Sequence, residues 1–115
     1  MHNYKELKVW QEAVALATQV YQLTAHFPTE EKFGLQSQVR RSCVSVASNI
    51  AEGAGRNSKG EFKQFLGIAY GSAYELETQF IIGRNLSFIS EENYRKLSEK
   101  LETIQKMLYK LKQSL

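Results

Sequence analysis

Proline occurs once in this 115-residue chain, at Pro28, and cysteine once, at Cys43; histidine occurs twice, at His2 and His26. With so little proline and few alternating apolar runs, the chain favours long helices over strands. A lone cysteine excludes an internal disulfide and fits a reducing compartment. Neither histidine has a glutamate three positions before it, so the Glu-x-x-His pairs of a di-iron helical bundle are missing and no metal is expected. The same scarcity leaves Ser42, Ser45 and Ser48 without a base, which argues against a Ser–His or Cys–His nucleophile. The stretch GAGRNSKG, from Gly53 to Gly60, lacks the spacing of a phosphate-binding loop. No apolar run approaches the length of a membrane span, and the opening MHNYKELKVW lacks a signal-peptide pattern, so a cytoplasmic protein is expected. These absences together point away from an enzyme and from any cofactor.

What remains is ordinary for one soluble domain: 43% apolar residues, 23% charged residues and a net charge of +3. A pI near 9.0 permits an anionic partner without demanding one. Four segments carry helical periodicity, at about 4–26, 35–54, 59–86 and 91–114. In the first, Trp10, Ala13, Val14, Ala17, Val20, Tyr21 and Thr24 form the main apolar stripe, and Val9, Leu16, Leu23 and Phe27 widen it. Pro28 stops this helix, and Gly34 interrupts the start of the next. The second helix buries Leu35, Val39, Cys43, Val46, Ile50 and Ala54; Gly53 and Gly55 end it, where a left-handed cap is expected. Ser58 and Glu61 form a capping box for the third helix, whose core stripe is Phe62, Phe65, Leu66, Ala69, Ala73, Leu76 and Phe80. The fourth starts on Ser90 and repeats Tyr94, Leu97, Leu101, Ile104, Leu108, Leu111 and Leu115 in unbroken steps of three and four. Glu92 with Lys96 and Glu102 with Lys106 are favourable pairs on its exposed side. Short connections make the neighbours antiparallel, so the expected fold is all-α, an up-down-up-down four-helix bundle in a single domain.

Three features exceed what one core requires. Arg41, Ser45, Ser48, Glu52 and Arg56 line a polar side of the second helix, where small serines between longer charged residues leave either a solvated face or a groove. The third helix has a second stripe of Gly67, Gly71, Tyr74 and Thr78, flanked by Tyr70 and Ile81. Each mid-helix glycine costs about 1 kcal/mol against alanine, so this stripe marks either a close contact with another subunit or a kink. Arg56, Lys59 and Lys63 gather at the turn between these helices, either as an anion site at a helix N-terminus or as a solvated turn. Glu52, Glu75 and Glu77 are available to neutralise Arg40, Arg41, Arg56 or Arg84.

The segments SVASNIAEGAGR (Ser45 to Arg56), FLGIAYGSAYELETQ (Phe65 to Gln79) and LKVWQEAVALATQVY (Leu7 to Tyr21) resemble the four-helix-bundle proteins encoded in intervening sequences of bacterial 23S ribosomal RNA genes. The likeness covers nearly the whole chain. That family is similar in fold to the accessory protein of diversity-generating retroelements, a basic, barrel-like homopentamer associated with nucleic acid and a reverse transcriptase. The resemblance implies a homopentamer without enzymatic activity, and supplies no binding residues to carry over. Five copies of a +3 chain bring about +15 into one ring. The leading expectation is an oligomeric scaffold that holds RNA or DNA by its phosphates through Arg40, Arg41, Arg56, Lys59 and Lys63, with Arg84 a weaker candidate. Gly67, Tyr70, Gly71, Tyr74 and Thr78 are its expected subunit contact. The competing expectation is a protein–protein adaptor whose arginines are paired internally; the two separate on whether Arg40, Arg41 and Arg56 face solvent or carboxylates.

Overall fold

The computed structural model describes residues 3–115 and forms α1 (Lys8–Thr24), α2 (Leu35–Ala54), α3 (Lys59–Asn85) and α4 (Glu91–Ser114), with 3₁₀ turns at Tyr4–Glu6 and Thr29–Glu31. Each helix packs against its two neighbours around a ring, α1 on α2 and α4, α3 on α2 and α4. This is the up-down-up-down bundle, about 43 Å long. His2 lies outside the described residues.

The core forms along the expected stripes of α2, α3 and α4, with Leu35, Phe65, Tyr94, Leu111 and Leu115 only half-buried at their margins. Val39, Cys43, Val46, Ile50 and Ala54 are buried from α2; Phe62, Leu66, Ala69, Ala73, Leu76 and Phe80 are buried from α3; Leu97, Leu101, Ile104 and Leu108 are buried from α4. Each large side chain among them contributes about 1.5–3 kcal/mol of transfer free energy. Ser58 caps α3 by accepting the Glu61 amide at 3.1 Å, and Ser90 caps α4 by accepting the Asn93 amide at 3.1 Å. The pairs Glu92–Lys96 and Glu102–Lys106 form at 3.3 and 3.1 Å.

The first segment departs from expectation in two ways. It is not one helix from 4 to 26: Leu7 is extended, and the turn before it is held separately, with the Asn3 side chain accepting the Lys5 amide. The Gln11 side-chain Nε2 donates to the Lys5 carbonyl, and the Tyr4 ring meets Trp10 edge-on at 5.1 Å. The helix also ends at Thr24, before Pro28. There the Thr24 hydroxyl donates back to the Val20 carbonyl at 2.7 Å, while Phe27 turns into the core. Its inner face is shifted as well, keeping Ala13, Val20 and Thr24 of the expected main stripe and taking Val9 and Leu16 from the side expected only to widen it. Val9, Ala13, Leu16, Val20 and Thr24 are buried, whereas Val14 and Tyr21 are exposed and Trp10 and Ala17 half-buried. An apolar helix wide enough to cover two faces leaves the choice of inner face to its neighbours, and α2 and α4 take the Val9 side.

The glycines divide differently from expectation too. No glycine among the described residues has a positive φ, and Gly55 caps α2 at φ −82°, so the left-handed cap does not form there. Gly53 serves contact instead: a Cβ on it would lie 2.7 Å from Phe65 Cβ and 3.0 Å from the Phe62 ring. Gly83 similarly admits Ile89, whose Cδ1 would be 2.8 Å from an added Cβ. The left-handed residue is Ser87, at φ 63°, after α3. The Phe88 amide returns to the Gly83 carbonyl at 2.9 Å and the Ser87 amide to Arg84 at 3.0 Å, the paired bonds of a Schellman ending. Left-handed backbone costs a residue with a Cβ about 1 kcal/mol or more. Ser87→Gly is therefore expected to raise the unfolding free energy by about 1 kcal/mol, read as a higher urea midpoint at unchanged slope; an unchanged midpoint would show that the strain is relieved elsewhere.

Candidate nucleic-acid interface

The basic residues singled out in the sequence do not form one site. Arg40 and Arg41 lie in the first half of α2, about 22 Å along its axis from Arg56 just beyond its far end, where Lys59 and Lys63 open α3. Arg40 is half-buried and tied inward. Its Nε donates to the Thr24 hydroxyl at 2.9 Å, its Nη2 to the Tyr21 carbonyl at 3.2 Å, and its guanidinium lies 4.5 Å from the Tyr21 ring centre. It thus pins the end of α1 to α2 without a carboxylate. Arg41 is exposed and bonded to Gln38 on its own helix.

Arg56 is held by carboxylates, 3.1 Å from Glu52 and 3.8 Å from Glu61, with its guanidinium 4.8 Å from the Phe65 ring centre. Both pairs are exposed, so each is worth at most about 1 kcal/mol and a phosphate can compete for the arginine. Arg84 stacks 4.2 Å from the Tyr94 ring centre. Lys59 and Lys63 are exposed and form no ion pair among the described residues; Glu75 and Glu77 form none either. The polar side of α2 is closed at its middle by α3. Ser45 and Ser72 share a hydrogen bond of 2.8 Å, and Asn49 donates to the Ser45 carbonyl at 2.8 Å.

That serine pair marks the middle of the bundle and shows how unevenly charge is spread along it. The half nearer the α2–α3 turn carries Lys5, Lys8, Arg56, Lys59, Lys63, Lys110 and Lys112 against Glu6, Glu12, Glu52 and Glu61, while Lys106 pairs with Glu102 on the far side of the middle. In the other half the carboxylates balance the cations. The whole positive excess lies at one end.

The second stripe of α3 also separates. The helix runs unbroken from Lys59 to Asn85, so it does not break at Gly67 or Gly71. Gly71 and Thr78 face outward, with exposed Ile68 and Ile82 beside them, and a Cβ on Gly71 would touch nothing within 4 Å. Tyr70 and Tyr74 turn toward α4. Their rings meet edge-on at 5.0 Å and their hydroxyls lie 3.2 Å apart, a bond that pushes the Tyr70 pKa above its ordinary value. They line an open groove of about 580 Å³ with Gln105, Met107, Tyr109 and Lys110 of α4. Gln105, Tyr109 and Lys112 escaped the reading of the sequence. Their signal was a run at steps of four and three beside the apolar seam, which the seam itself overshadowed.

Cys43 is buried on the core side of α2, and desolvation raises its thiol pKa to about 11, so it remains an inert thiol. No three His, Cys, Asp or Glu side chains gather among the described residues in a way that holds a metal, and none of the described helices is long and apolar enough to cross a membrane.

Comparison with known proteins agrees with this architecture. Residues 5–110 match the model of the 23S rRNA-intervening sequence protein family. A crystal structure of a protein of unknown function from the S23 ribosomal protein family of Bacteroides thetaiotaomicron superposes with a TM-score of 0.85 at 25% identity, covering 91% of this chain and 95% of that one. No curated protein matches the chain. Neither the family nor the crystal structure carries an enzyme's name.

Proposed function

This chain belongs to the 23S rRNA-intervening sequence protein family, and from that premise we propose that it is a non-enzymatic homo-oligomeric scaffold that holds RNA or DNA by its backbone phosphates. The observation that carries the reading is the gathering of the positive excess at the α2–α3-turn end of the bundle. Lys59 and Lys63 stand there without partners among the described residues, and Lys110 and Lys112 reach the same end from α4. Arg56 contributes after exchanging its carboxylates, while Arg40 is committed to holding α1 against α2. Arg41 belongs to a separate, weaker region.

A ring of copies, five by the family resemblance, multiplies the field of one protomer. Its subunit contact is heterologous and needs two unlike patches. The outward face of α3 around Gly71, Thr78, Ile68 and Ile82 supplies one; the shallow apolar groove of Val14, Ala17, Tyr21 and Val44 between α1 and α2 supplies the other. Tyr70, Tyr74 and Gly67 lie at the margin of the first patch.

Binding of a labelled structured RNA, followed by anisotropy between 50 and 200 mM salt, tests the reading. Affinity is expected to fall steeply with salt and to vary little with sequence. Lys59→Ala with Lys63→Ala is expected to weaken binding uniformly and reduce the salt slope by about 2. Light scattering on the same samples gives the mass. A mass near five protomers with no RNA binding favours the adaptor reading, for which the pairing of Arg56 with Glu52 and Glu61 is the supporting observation. A monomer that binds no RNA overturns both.

A further inference from the structure

Two residue sets that look unrelated in the sequence lie on one line in the structure. At 100° per residue, Lys59, Lys63, Gly67, Tyr70 and Tyr74 follow each other down the α4-facing edge of α3. Opposite them, Lys112, Tyr109 and Gln105 follow the α3-facing edge of α4. Gly67 joins the two, because the Lys112 ammonium lies beside it, 3.4 Å from where a Cβ would stand. The groove therefore grades from cations at the basic end of the bundle to three tyrosines at its middle, and beyond them Glu102 lines it with its charge met by Lys106 at 3.1 Å.

Its wall holds an unanswered donor. Gln105 is only 8% exposed, and its Nε2 finds no hydrogen-bond partner among the described residues. A buried amide left unpaired is costly, and a ligand bearing an acceptor relieves it. Tyr74 and Tyr109 present ring surface to solvent, 46% and 55% exposed, on either side of a space of about 580 Å³. That space falls within the range of small-ligand sites.

We infer that the α3–α4 groove takes an unpaired nucleotide of a single-stranded nucleic acid. The base lies against the rings of Tyr74 and Tyr109, the Gln105 amide turns out of the wall that covers it to meet an acceptor on the base edge, and Lys63, Lys110 and Lys112 meet the flanking phosphates. A flat ring carrying acceptors, joined at both sides to anions, matches tyrosines, amide and lysines in the order in which the groove presents them. Base–tyrosine stacking tolerates any sequence and requires an unstacked base, so the groove prefers single strands to duplexes. This inference rests on the nucleic-acid reading above and adds to it a strand preference that phosphate contact alone does not give.

The test compares a labelled 12-nucleotide single-stranded RNA with the duplex of the same sequence, at one salt concentration, by anisotropy. The single strand is expected to bind about tenfold or more tightly than the duplex. Tyr74→Ala with Tyr109→Ala is expected to abolish that preference, and Tyr74→Phe with Tyr109→Phe to retain it, since the ring and not the hydroxyl does the stacking. Both tyrosines are about half exposed, and thermal unfolding of the same variants confirms that they fold. Equal affinity for single strand and duplex in the parent protein overturns the groove while leaving the phosphate reading standing. No binding of either overturns both. A fall in mass with Tyr74→Ala and Tyr109→Ala also overturns it, because the groove is then occupied by a second copy of this chain.

Discussion

Phe80→Ala is expected to lower the unfolding free energy by about 3–5 kcal/mol, enough to leave a domain of this size near its midpoint at moderate temperature. Phe80 is 1% exposed and is the largest of the fully buried side chains. It sits toward the end of α3 from which the chain reverses through Ser87 to Ile89, with buried Gly83 one turn on. Removing the ring withdraws its transfer free energy and leaves a cavity that four packed helices fill poorly. Urea unfolding followed by helical circular dichroism measures the loss. A change below about 1.5 kcal/mol would mean that the end of the bundle collapses freely, and that Gly83 and Ile89 do not fix its spacing as their contact suggests.

Gly53→Ala is expected to destabilise by about 1–3 kcal/mol even though alanine is the better helix former by about 1 kcal/mol. The added Cβ meets Phe65 Cβ at 2.7 Å, an atom fixed to the α3 backbone and unable to swing away, so α2 and α3 must separate. Gly71→Ala supplies the contrast. Its Cβ meets nothing within 4 Å, so the isolated protomer is expected to gain up to about 1 kcal/mol from propensity alone. The two substitutions are chemically identical and opposite in sign. Unfolding midpoints of both variants decide the matter, and equal shifts would show that propensity outweighs the seam. If Gly71→Ala also lowers the mass in solution, Gly71 lies in a contact between copies that a single protomer does not display.

The bundle was legible because its signals were redundant. In α4 the caps, charge order and heptad seam agree, and the boundaries at Glu91 and Ser114 match the expected 91–114. In α1 only hydrophobicity was available, and a helix apolar on two sides does not say which side its neighbours cover, so Val14 and Tyr21 exchanged places with Val9 and Leu16. Gly67 and Gly71 were read through propensity and Gly53 as a helix ending; Gly53 is set by atoms of α3 and Gly83 by Ile89 of the connection that follows, contacts invisible until the chain has folded back. The turn cluster was legible in part. Arg56, Lys59 and Lys63 do lie together, but the carboxylates that hold Arg56 and the separation of Arg40 and Arg41 are properties of tertiary position. Gln105 was missed because a glutamine beside a leucine seam reads as surface, and only the packing of α3 against α4 buries it.

The lengthwise imbalance of charge also constrains symmetry. A protomer with its positive excess at one end carries a permanent dipole along the bundle axis. Two such protomers related by a twofold axis across their length oppose their dipoles, and the pair is nearly non-polar. Copies related by rotation about an axis along their length add them, and the assembly becomes a plate with unlike faces, one cationic and one close to neutral. A polyanion then approaches from one side only, leaving the opposite face for a partner of another kind.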